Sequence, residues 1–384
     1  MDTLASETKA LCLPANPGAS YRAHQVDLDR AVLRVLGSGR YLQAGETAAF
    51  EEEFAQYLGV EHVITTGSGT DALALALRVL GIGPGDAVAT VSHTAVATVA
   101  AIDLVGALPV LIDVDPVTFT MDPARLEAAL RSDLGSRIKA VLPVHLYGHP
   151  VRMAEIEGIA ERHQLPILED CAQSHGAALE GRKTGAWGTF GAFSFYPTKN
   201  LGAFGDGGAL ATRSARLADR ARCMKQYGWK ERYVSHLPGM NTRLDELQAA
   251  VLRVKLPHLD ADNDRRRAIA QSYDQRLCDT PLELPVERFG CRHVYHQYVI
   301  CTERRDHLAE YLGRHGIGTA VHYPVPVHLQ PGYQDRIAIG PGGLRNTEAL
   351  ARRVLSLPMH PALMDDEVDQ VGELIVRWTE EELG

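Results

Sequence analysis

The sequence lacks the features that mark membrane, exported and nucleic-acid-binding proteins. No segment approaches the roughly 20 uninterrupted apolar residues that a membrane helix needs. The N-terminus, MDTLASETKALCLPANPG, has no basic start followed by an apolar run. Lys and Arg total 39 against 48 Asp and Glu, so no basic surplus exists to bind nucleic acid or an anionic membrane. We therefore expect a cytoplasmic protein with no membrane span, in which only a local groove could hold an anionic small molecule.

Cysteine patterns are also missing. The six cysteines form no C-x-x-C pair and show no regular spacing, which argues against a zinc site and against a disulfide framework. We expect reduced, mostly buried thiols and no metal site.

What is present is an alternation of helical and strand patterns from about residue 45. HVITT, AVATVS, LPVLIDV, IKAVLPVHL and LPILED are apolar strands, and helical patterns such as TDALALALRVLGI and TAVATVAAIDLVG separate them. This alternation predicts an α/β fold: a mostly parallel sheet with helices on both sides, in three α/β/α layers.

The pattern changes beyond residue 212. RLDELQAAVLRVKLPHLDADNDRRRAIAQSYDQRL indicates one long helix, and HQYVICT, RDHLAEYLGRHGI, GTAVHY and two helices between about 344 and 381 follow it. A chain of 384 residues is long enough for two domains. We predict an N-terminal segment and a large domain over 1–250. A smaller α+β domain over 251–384 would be entered through the long helix.

The first candidate site is TTGSGTDALALAL. A strand leads into Gly67 and Gly69 and then into a helix, so free backbone N–H groups and the helix dipole favour an anion. The same letters match a dinucleotide fingerprint, G-x-G-x-x-A, with Ala72 last. That fingerprint expects an acidic residue after the next strand, and VSHT has none. A tight turn without a ligand remains an alternative.

Two more candidates follow along the chain. Asp170 ends the strand in LPILEDCAQSHGA, where a buried carboxylate requires a cationic partner such as a protonated ring nitrogen; a turn cap by Asp170 or Ser174 is the alternative. Lys199 lies in SFYPTKNLGAFGDGGAL among apolar residues, which favour the neutral amine that forms Schiff bases. A surface turn is the alternative there. Ser194 could donate to a phosphate.

Together these features describe one ligand. An anion at a helix start, a cationic ring nitrogen facing Asp170 and an aldehyde for Lys199 are all present in pyridoxal phosphate. The coincidence of the three favours this cofactor more strongly than any of them alone.

Seven segments of the sequence resemble, in order, the segments of a known protein family. In order, SGRYLQAGETAAFEEEFAQYLGV, GSGTDAL, EDCAQSHGA, FSFYPTKNLGAFGDGGAL, GMNTRLDELQAAVLRVKL, VHYPVPVH and LSLPMHP resemble the DegT/DnrJ/StrS family of sugar aminotransferases, which belong to the aspartate aminotransferase superfamily of fold type I. The likeness extends from about Tyr41 to Pro361. It implies a pyridoxal-phosphate enzyme that passes through the pyridoxamine phosphate form.

The resemblance also implies roles for individual residues. Lys199 would form the Schiff base with the cofactor and then carry the proton, Asp170 would pair with the ring nitrogen, and Gln173 would lie against the ring and its hydroxyl. The phosphate would be held by Gly69, Thr70 and Ser194. Asn241 would reach the phosphate of a neighbouring subunit, which implies a homodimer with active sites at the interface.

One position departs from the family pattern. Members usually carry an aromatic residue that stacks on the cofactor ring one place after the threonine of SHTAVATVAAI, where this sequence has Ala95. Either His93 or another side chain supplies the stacking, or one face of the ring is less covered.

The resemblance implies that the substrate is a keto sugar linked to a nucleoside diphosphate, with glutamate or glutamine as amino donor. NTRLDELQAAVLRVKL is more similar to the branch that acts on dTDP-linked 3-keto-6-deoxyhexoses than to the 4-keto branch. Tyr41, His322 and Tyr323 are candidates for sugar contacts, or else they pack in a loop. Amination of 4-keto sugars or cyclitols, and a non-catalytic regulatory role, remain as alternatives.

Overall fold

The computed structural model describes residues 12–383, so the N-terminal stretch 1–11, on which part of the expectation about export rests, lies outside it. The helices of the described chain are α1 (Pro17–Ala23), α2 (Gln25–Ser38), α3 (Gly45–Leu58), α4 (Gly69–Leu80), α5 (Val96–Leu104), α6 (Pro123–Leu130), α7 (Met153–Arg162), α8 (Ala215–Met224), α9 (Glu246–Lys255), α10 (Leu259–Leu277), α11 (Arg305–Arg314), α12 (Arg345–Arg353) and α13 (Asp365–Leu383). Short 3₁₀ turns occur at Gly135–Arg137, Leu146–Gly148, Leu256–His258 and Val327–Leu329.

The strands of the same residues are β1 (His62–Thr66), β2 (Ala87–Val91), β3 (Leu108–Ile112), β4 (Ile138–Val141), β5 (Leu168–Asp170), β6 (Ala178–Leu179), β7 (Arg182–Lys183), β8 (Phe190–Ser194), β9 (Gly208–Thr212), β10 (Trp229–Glu231), β11 (Val234–Ser235), β12 (Cys291–Arg292), β13 (Tyr298–Cys301), β14 (Ala338–Ile339) and β15 (Val354–Leu357).

The main sheet has the order β14-β3-β2-β4, continued by β5-β8-β9-β1. Parallel bridges from Val141 to Ile167 and from Val144 to Asp170 join the two halves. Only β9 runs antiparallel to its neighbours, so β1 again points the same way as β8. The carboxyl ends of β1, β2, β4, β5 and β8 therefore lie along one edge of the sheet, the position where such sheets bind ligands.

Alternate strand residues show that helices cover both faces of this sheet. Val63 packs with α3 and the phenylalanines around it, whereas Ile64 packs in the opposite core with α4. The same alternation separates Ala209 from Leu210 in β9. The mostly parallel, three-layer α/β/α architecture predicted from the sequence is confirmed.

A second core lies in the C-terminal part of the chain. The antiparallel pair of β13 and β15 packs against α10, α11 and α13, with Tyr273, Tyr298 and Trp378 at its centre. Cys12, the first described residue, belongs to this core and pairs with Ile317. These elements form an α+β unit, while the domain boundary at residue 250 stays a prediction.

Two predictions about elements were wrong. The single long helix is divided into α9 and α10 by the 3₁₀ turn at Leu256–His258, because Pro257 has no N–H to donate to the preceding turn. The predicted strand GTAVHY forms only one bridge, between Ala320 and Ser356, and its later residues turn towards the main sheet. The four-residue strand β15, between the two C-terminal helices, was not predicted.

Cys12, Cys171, Cys223 and Cys301 are buried, as the composition suggested. Within residues 12–383, no helix combines the length and the apolar character needed to cross a membrane.

Candidate active site

A cavity of about 260 Å³ opens at the carboxyl edge of the main sheet. Five strand ends supply its walls, which explains why chemically important residues from distant parts of the sequence meet there. The lining residues that the sequence had already singled out are Gly69, Thr70, Ala95, Asp170, Gln173, Ser194 and Lys199.

The phosphate candidate residues lie where α4 begins. The Ser68 hydroxyl caps the helix by accepting from the N–H of Asp71 at 3.1 Å. Gly69 is so close to the end of β8 that a Cβ there would lie 2.7 Å from the Cβ of Ser194. Within residues 12–383, the N–H groups of Gly69 and Thr70 have no acceptor, and the Ser194 hydroxyl lies beside Gly69, so the helix start can bind an anion.

Asp170 ends β5 as a buried carboxylate, 5% exposed. One of its oxygens accepts from the Thr98 hydroxyl at 2.8 Å, and the other accepts from the N–H of Ala172 at 3.1 Å. Burial raises the pKa of Asp170, while these two hydrogen bonds and the charge of Lys199 oppose the rise. Within residues 12–383, Asp170 makes no ion pair, so the carboxylate can still accept a cationic partner.

Lys199 follows β8 in a tight turn closed by its own N–H, which donates to the carbonyl of Tyr196 at 2.8 Å. Burial lowers the pKa of its amine from 10.5 to about 8, although the Asp170 carboxylate opposes this change. At pH 7 a group with such a pKa is neutral in about one molecule in ten. Lys199 therefore offers a nucleophilic amine under physiological conditions.

Three histidines near Lys199 remain uncharged. Burial and the neighbouring positive charge of Lys199 lower the pKa of His175 to about 3 and that of His322 to about 4, and they hold the pKa of His296 well below 6.5. At neutral pH these rings add no cation to the site. Among the residues that line the cavity, Lys199 is thus the one basic side chain.

A group of hydrogen bonds holds Gln173. Its Oε1 accepts from the backbone N–H of Tyr147 at 2.7 Å, and its Nε2 donates to the hydroxyl of Tyr323 at 3.0 Å. The Tyr147 hydroxyl donates to the carbonyl of His322, whose ring Nδ1 in turn bonds the Ser356 hydroxyl at 2.8 Å. The His322–Tyr323 segment is therefore joined to Gln173, beside the cavity.

The structure bears on which side chain could stack on the cofactor ring in place of an aromatic residue at Ala95. Ala95 lies at the N-cap of α5 and lines the cavity with only its methyl group. His93 is buried, does not line the cavity, and bonds the Tyr147 hydroxyl through Nε2 at 2.9 Å. Stacking by His93 is therefore a wrong alternative, and the aromatic ring that does reach the cavity is Tyr196, which is 52% exposed.

Four of the predicted site residues do not line the cavity: His322 and Tyr323 lie beside it, and Asn241 and Tyr41 lie elsewhere. Asn241 is exposed and pairs with Gln226, outside the cavity. Its neighbour Thr242 accepts from the N–H of Gly67 at 2.8 Å, which places Asn241 close to the glycine turn of its own chain. Tyr41 is half exposed, and its hydroxyl donates to the carbonyl of Leu36.

Sequence reasoning missed several residues that shape the site. Thr98 holds Asp170, Tyr147 holds Gln173, and Asp206 lines the cavity just before β9. Thr98 lies in the first turn of α5, directly after the strand β2 that ends at the carboxyl edge of the sheet, and this position was a signal available in the sequence. Tyr147 carries no such local signal.

A buried group of His145, Glu169 and Cys171 has the residue types of a metal site. Glu169 is already saturated, however. It accepts from the N–H groups of Gly185, Trp187 and Gly188 and faces Nε2 of His145 at 3.0 Å. These bonds indicate a structural role under the sheet.

The residues present at the cavity fit pyridoxal phosphate. The partly neutral Lys199 suits the aldehyde, Asp170 provides a buried acceptor for a protonated ring nitrogen, and the helix start with Ser194 suits the phosphate. The walls beside Ala95 and Ala172 are small and apolar, as a flat ring requires.

Comparison with known proteins agrees with this geometry. Residues 23–376 match the DegT/DnrJ/EryC1/StrS aminotransferase family. The chain is 48% identical over 354 residues to the erythromycin biosynthesis sensory transduction protein EryC1 of Saccharopolyspora erythraea, covering 92% of this chain and 95% of that protein. It is 46% identical over 363 residues to the dTDP-3-amino-3,4,6-trideoxy-alpha-D-glucose transaminase of Streptomyces venezuelae, covering 94% of each.

A solved structure extends the comparison to the fold. S. venezuelae DesV in complex with a ketimine intermediate superposes with a TM-score of 0.92 and 46% identity, over 96% of this chain and 98% of that one. The family and the enzyme class predicted from seven sequence blocks are thereby confirmed. The chain belongs to the DegT/DnrJ/EryC1/StrS aminotransferase family of pyridoxal-phosphate-dependent enzymes.

Proposed function

We propose that this protein transfers an amino group from glutamate or glutamine to the keto group of a nucleotide-linked sugar, with pyridoxal phosphate bound in the cavity beside Lys199. The observation that carries the proposal is the convergence of Lys199, Asp170 and the open start of α4 on one cavity. The cytoplasmic location predicted from the sequence belongs to the same proposal.

The sugar we propose is a dTDP-linked 3-keto-6-deoxyhexose. The S. venezuelae relative is named for a dTDP-3-amino-3,4,6-trideoxyglucose, and another relative at 43% identity carries the same name. Relatives near 40% identity are named for UDP-linked 3-keto or 3-dehydro sugars. These names support amination at carbon 3 more strongly than they support one nucleotide.

Each residue of the site would have a defined task. When bound, the cofactor supplies an electron sink for the bond-breaking steps. Lys199 would hold the cofactor through its Nζ and would carry a proton at the same atom. Asp170 would face the ring nitrogen, and its carboxylate accepts hydrogen bonds from Thr98 and from the N–H of Ala172, which favour its charged form. Ser194 and the first N–H groups of α4 hold the phosphate.

The direct test is spectroscopic. The protein reconstituted with pyridoxal phosphate should absorb near the visible region, lose that absorbance with glutamate or glutamine, and regain it with a dTDP-3-keto-6-deoxyhexose. Lys199→Ala should abolish the cycle, whereas the matched change Lys139→Ala, at an exposed lysine of β4, should leave it intact. Full turnover by Lys199→Ala would refute the proposal.

The same absorbance experiment distinguishes the other possible substrates and a regulatory role. If the donor step proceeds but only a cyclitol ketone or a 4-keto sugar restores the absorbance, the substrate assignment is wrong. A regulatory protein is suggested by the name of the S. erythraea relative. Such a protein would bind the cofactor without responding to either donor. We expect a response, because Lys199 and Asp170 line the same cavity.

We also propose a homodimer in which Asn241 reaches the phosphate of the partner. Asn241 is exposed and outside the cavity of its own chain. Large apolar side chains are also exposed on the surface of the protein: Leu33 and Leu36 on α2, and Tyr233 and Val234 in the β10–β11 hairpin. Exposed apolar side chains of this size are typical of interfaces.

Subunit mixing tests this arrangement. Lys199→Ala and Asn241→Ala proteins should each be impaired alone, because each lacks one half of a shared site. After the two are unfolded and refolded together, mixed dimers should contain one intact site and regain activity. A mixture that stays as weak as its components, or a monomer in sedimentation, would contradict the shared site.

A further inference from the structure

The hydrogen bonds around Gln173 close into a ring. The backbone N–H of Tyr147 donates to Gln173 Oε1 at 2.7 Å, Gln173 Nε2 donates to the Tyr323 hydroxyl at 3.0 Å, and the Tyr147 hydroxyl donates to the carbonyl of His322. Since His322 and Tyr323 are consecutive, Tyr147 holds both ends of the ring. One residue of the large sheet layer is thus bonded to the cavity wall and to the 322–323 segment.

The backbone at Tyr147 is unusual and tightly held. Tyr147 has φ of 58°, in the left-handed region that non-glycine residues rarely adopt. Gly148 follows with φ of 97°, and a Cβ there would lie 2.9 Å from the Val294 side chain. Such a conformation persists only where the surroundings fix it, and here the bonds of the Tyr147 N–H and hydroxyl do so at opposite ends of the residue.

His93 completes the arrangement as a donor. The Tyr147 hydroxyl has a single hydrogen, and the His322 carbonyl can only accept. The hydrogen therefore points to the carbonyl, and the contact of 2.9 Å with His93 Nε2 requires an N–H on that nitrogen. His93 is a neutral ring at pH 7, because burial lowers its pKa to about 4.

The ring also fixes what Gln173 presents to the cavity. Its Oε1 faces the N–H of Tyr147, so the amide cannot be turned round without setting two donors against each other. One hydrogen of Nε2 is used on Tyr323, and the other has no acceptor among residues 12–383. Gln173 therefore faces the cavity as a hydrogen-bond donor.

We infer that Tyr147 is a positioning residue: it orients the amide of Gln173 as a donor towards the cofactor's ring oxygen and ties that amide to the His322–Tyr323 segment. The inference rests on the proposed cofactor and function. Its consequence is that the cofactor contact of Gln173 and the position of the 322–323 segment are coupled. A substitution at Tyr323 should therefore alter the hydrogen bonds of Tyr147, and a substitution at Tyr147 should alter those of Tyr323.

Tyr147→Phe and a matched control test the role. Tyr273→Phe removes an equally buried hydroxyl, which donates to the carbonyl of Pro358 at 3.1 Å in the C-terminal core. Both changes should lower the melting temperature by similar amounts. Only Tyr147→Phe should shift the pH dependence of the cofactor absorbance and weaken pyridoxal phosphate binding, by about tenfold if one good hydrogen bond is lost.

Two further comparisons separate positioning from general damage. His93→Gln retains an N–H close to the position of Nε2 and should keep the wild-type absorbance profile, whereas His93→Phe should resemble Tyr147→Phe. The double change Tyr147→Phe with Tyr323→Phe should weaken pyridoxal phosphate binding no more than the more damaging single change does, because both residues belong to one hydrogen-bonded ring.

A measurement without cofactor keeps the inference independent of the proposed function. In the apoprotein, Tyr323→Phe should accelerate hydrogen exchange at the amide of Tyr147, and Tyr273→Phe should not. If the exchange is unchanged, or if Tyr147→Phe and Tyr273→Phe have the same absorbance profile, the inference is overturned. If the exchange at Tyr147 accelerates while the wild type shows no cofactor absorbance, the proposed function is wrong, but the coupling between Tyr147 and Tyr323 is supported.

Discussion

The replacement of Gly69 by alanine is the sharpest test of the phosphate cradle. The new Cβ would lie 2.7 Å from the Cβ of Ser194, 3.2 Å from its Cα and 3.3 Å from its Oγ. Carbon atoms in contact prefer about 3.5–4.0 Å, so the start of α4 and the end of β8 must separate by about 1 Å. Overpacking of this kind costs about 1–3 kcal/mol of stability.

The effect on binding follows from the same displacement. A hydrogen bond to a charged group contributes about 1.5–3 kcal/mol, and about 1.4 kcal/mol corresponds to a factor of ten in affinity. Loss of one good bond, between phosphate and either the helix N–H groups or Ser194, should therefore weaken pyridoxal phosphate by about 10- to 100-fold. Pyridoxal lacks the phosphate, so its affinity should change little.

The assay is a titration of apoprotein with each ligand, followed by absorbance. Gly313→Ala is the matched control, because it lies in α11 with no atom within 4 Å of the added Cβ and should leave both affinities unchanged. If Gly69→Ala binds pyridoxal phosphate as tightly as the wild type, or loses both ligands equally, the reasoning about the helix start is wrong.

Three other predictions concern charges. Formation of the Lys199–cofactor bond in apoprotein should speed up about tenfold per pH unit up to about pH 8 and then level off, as measured by borohydride trapping and mass spectrometry; a flat profile would contradict a buried amine. Thr98→Val removes a hydrogen bond that lowers the pKa of Asp170, so the acidic limb of the kcat profile should move to higher pH, and an unmoved limb would show that Thr98 does not support the charge. Glu246 accepts from three N–H groups at the start of α3 and from the Thr47 hydroxyl. Although burial opposes them, these bonds lower its pKa. Glu246→Gln should therefore reduce the free energy of unfolding by about 2–4 kcal/mol at pH 7. The difference from wild type should shrink as the pH falls from the ordinary glutamate pKa of 4.5 through the lowered pKa of Glu246, where the wild-type carboxylate becomes protonated. Urea unfolding of both proteins at pH 7 and at acidic pH measures this difference. A difference that is the same at both pH values would contradict the prediction.

The residues found from the sequence share a local signature. Gly69 and Lys199 each follow a strand pattern directly, and Asp170 ends one, so their place at the edge of the sheet could be inferred from neighbours in the chain. Because parallel strands end at the same edge, that inference also brought them together in space. The helix break at Pro257 could have been predicted from the same kind of local rule.

The remaining features depend on contacts that the local sequence does not encode. Tyr147 bonds a glutamine 26 residues away and a carbonyl 175 residues away, and its left-handed backbone is a product of those contacts. The segment after Ala320 resembles a strand by composition, but its backbone is drawn towards the main sheet by the same bonds. His93 looked available for the cofactor because its own partner, the Tyr147 hydroxyl, could not be seen.

The meeting of five strand ends at one cavity makes cofactor colour a reporter of complete folding. No single segment carries the site: the contributions of β1, β2, β4, β5 and β8 are spread over more than a hundred residues. A partly folded chain that has lost any one of these strands loses a wall of the cavity. A ligand that binds only the complete form stabilises it by mass action. Expression of this enzyme with ample pyridoxal phosphate should thus favour intact molecules, and absorbance per unit of protein should measure the fraction that has folded.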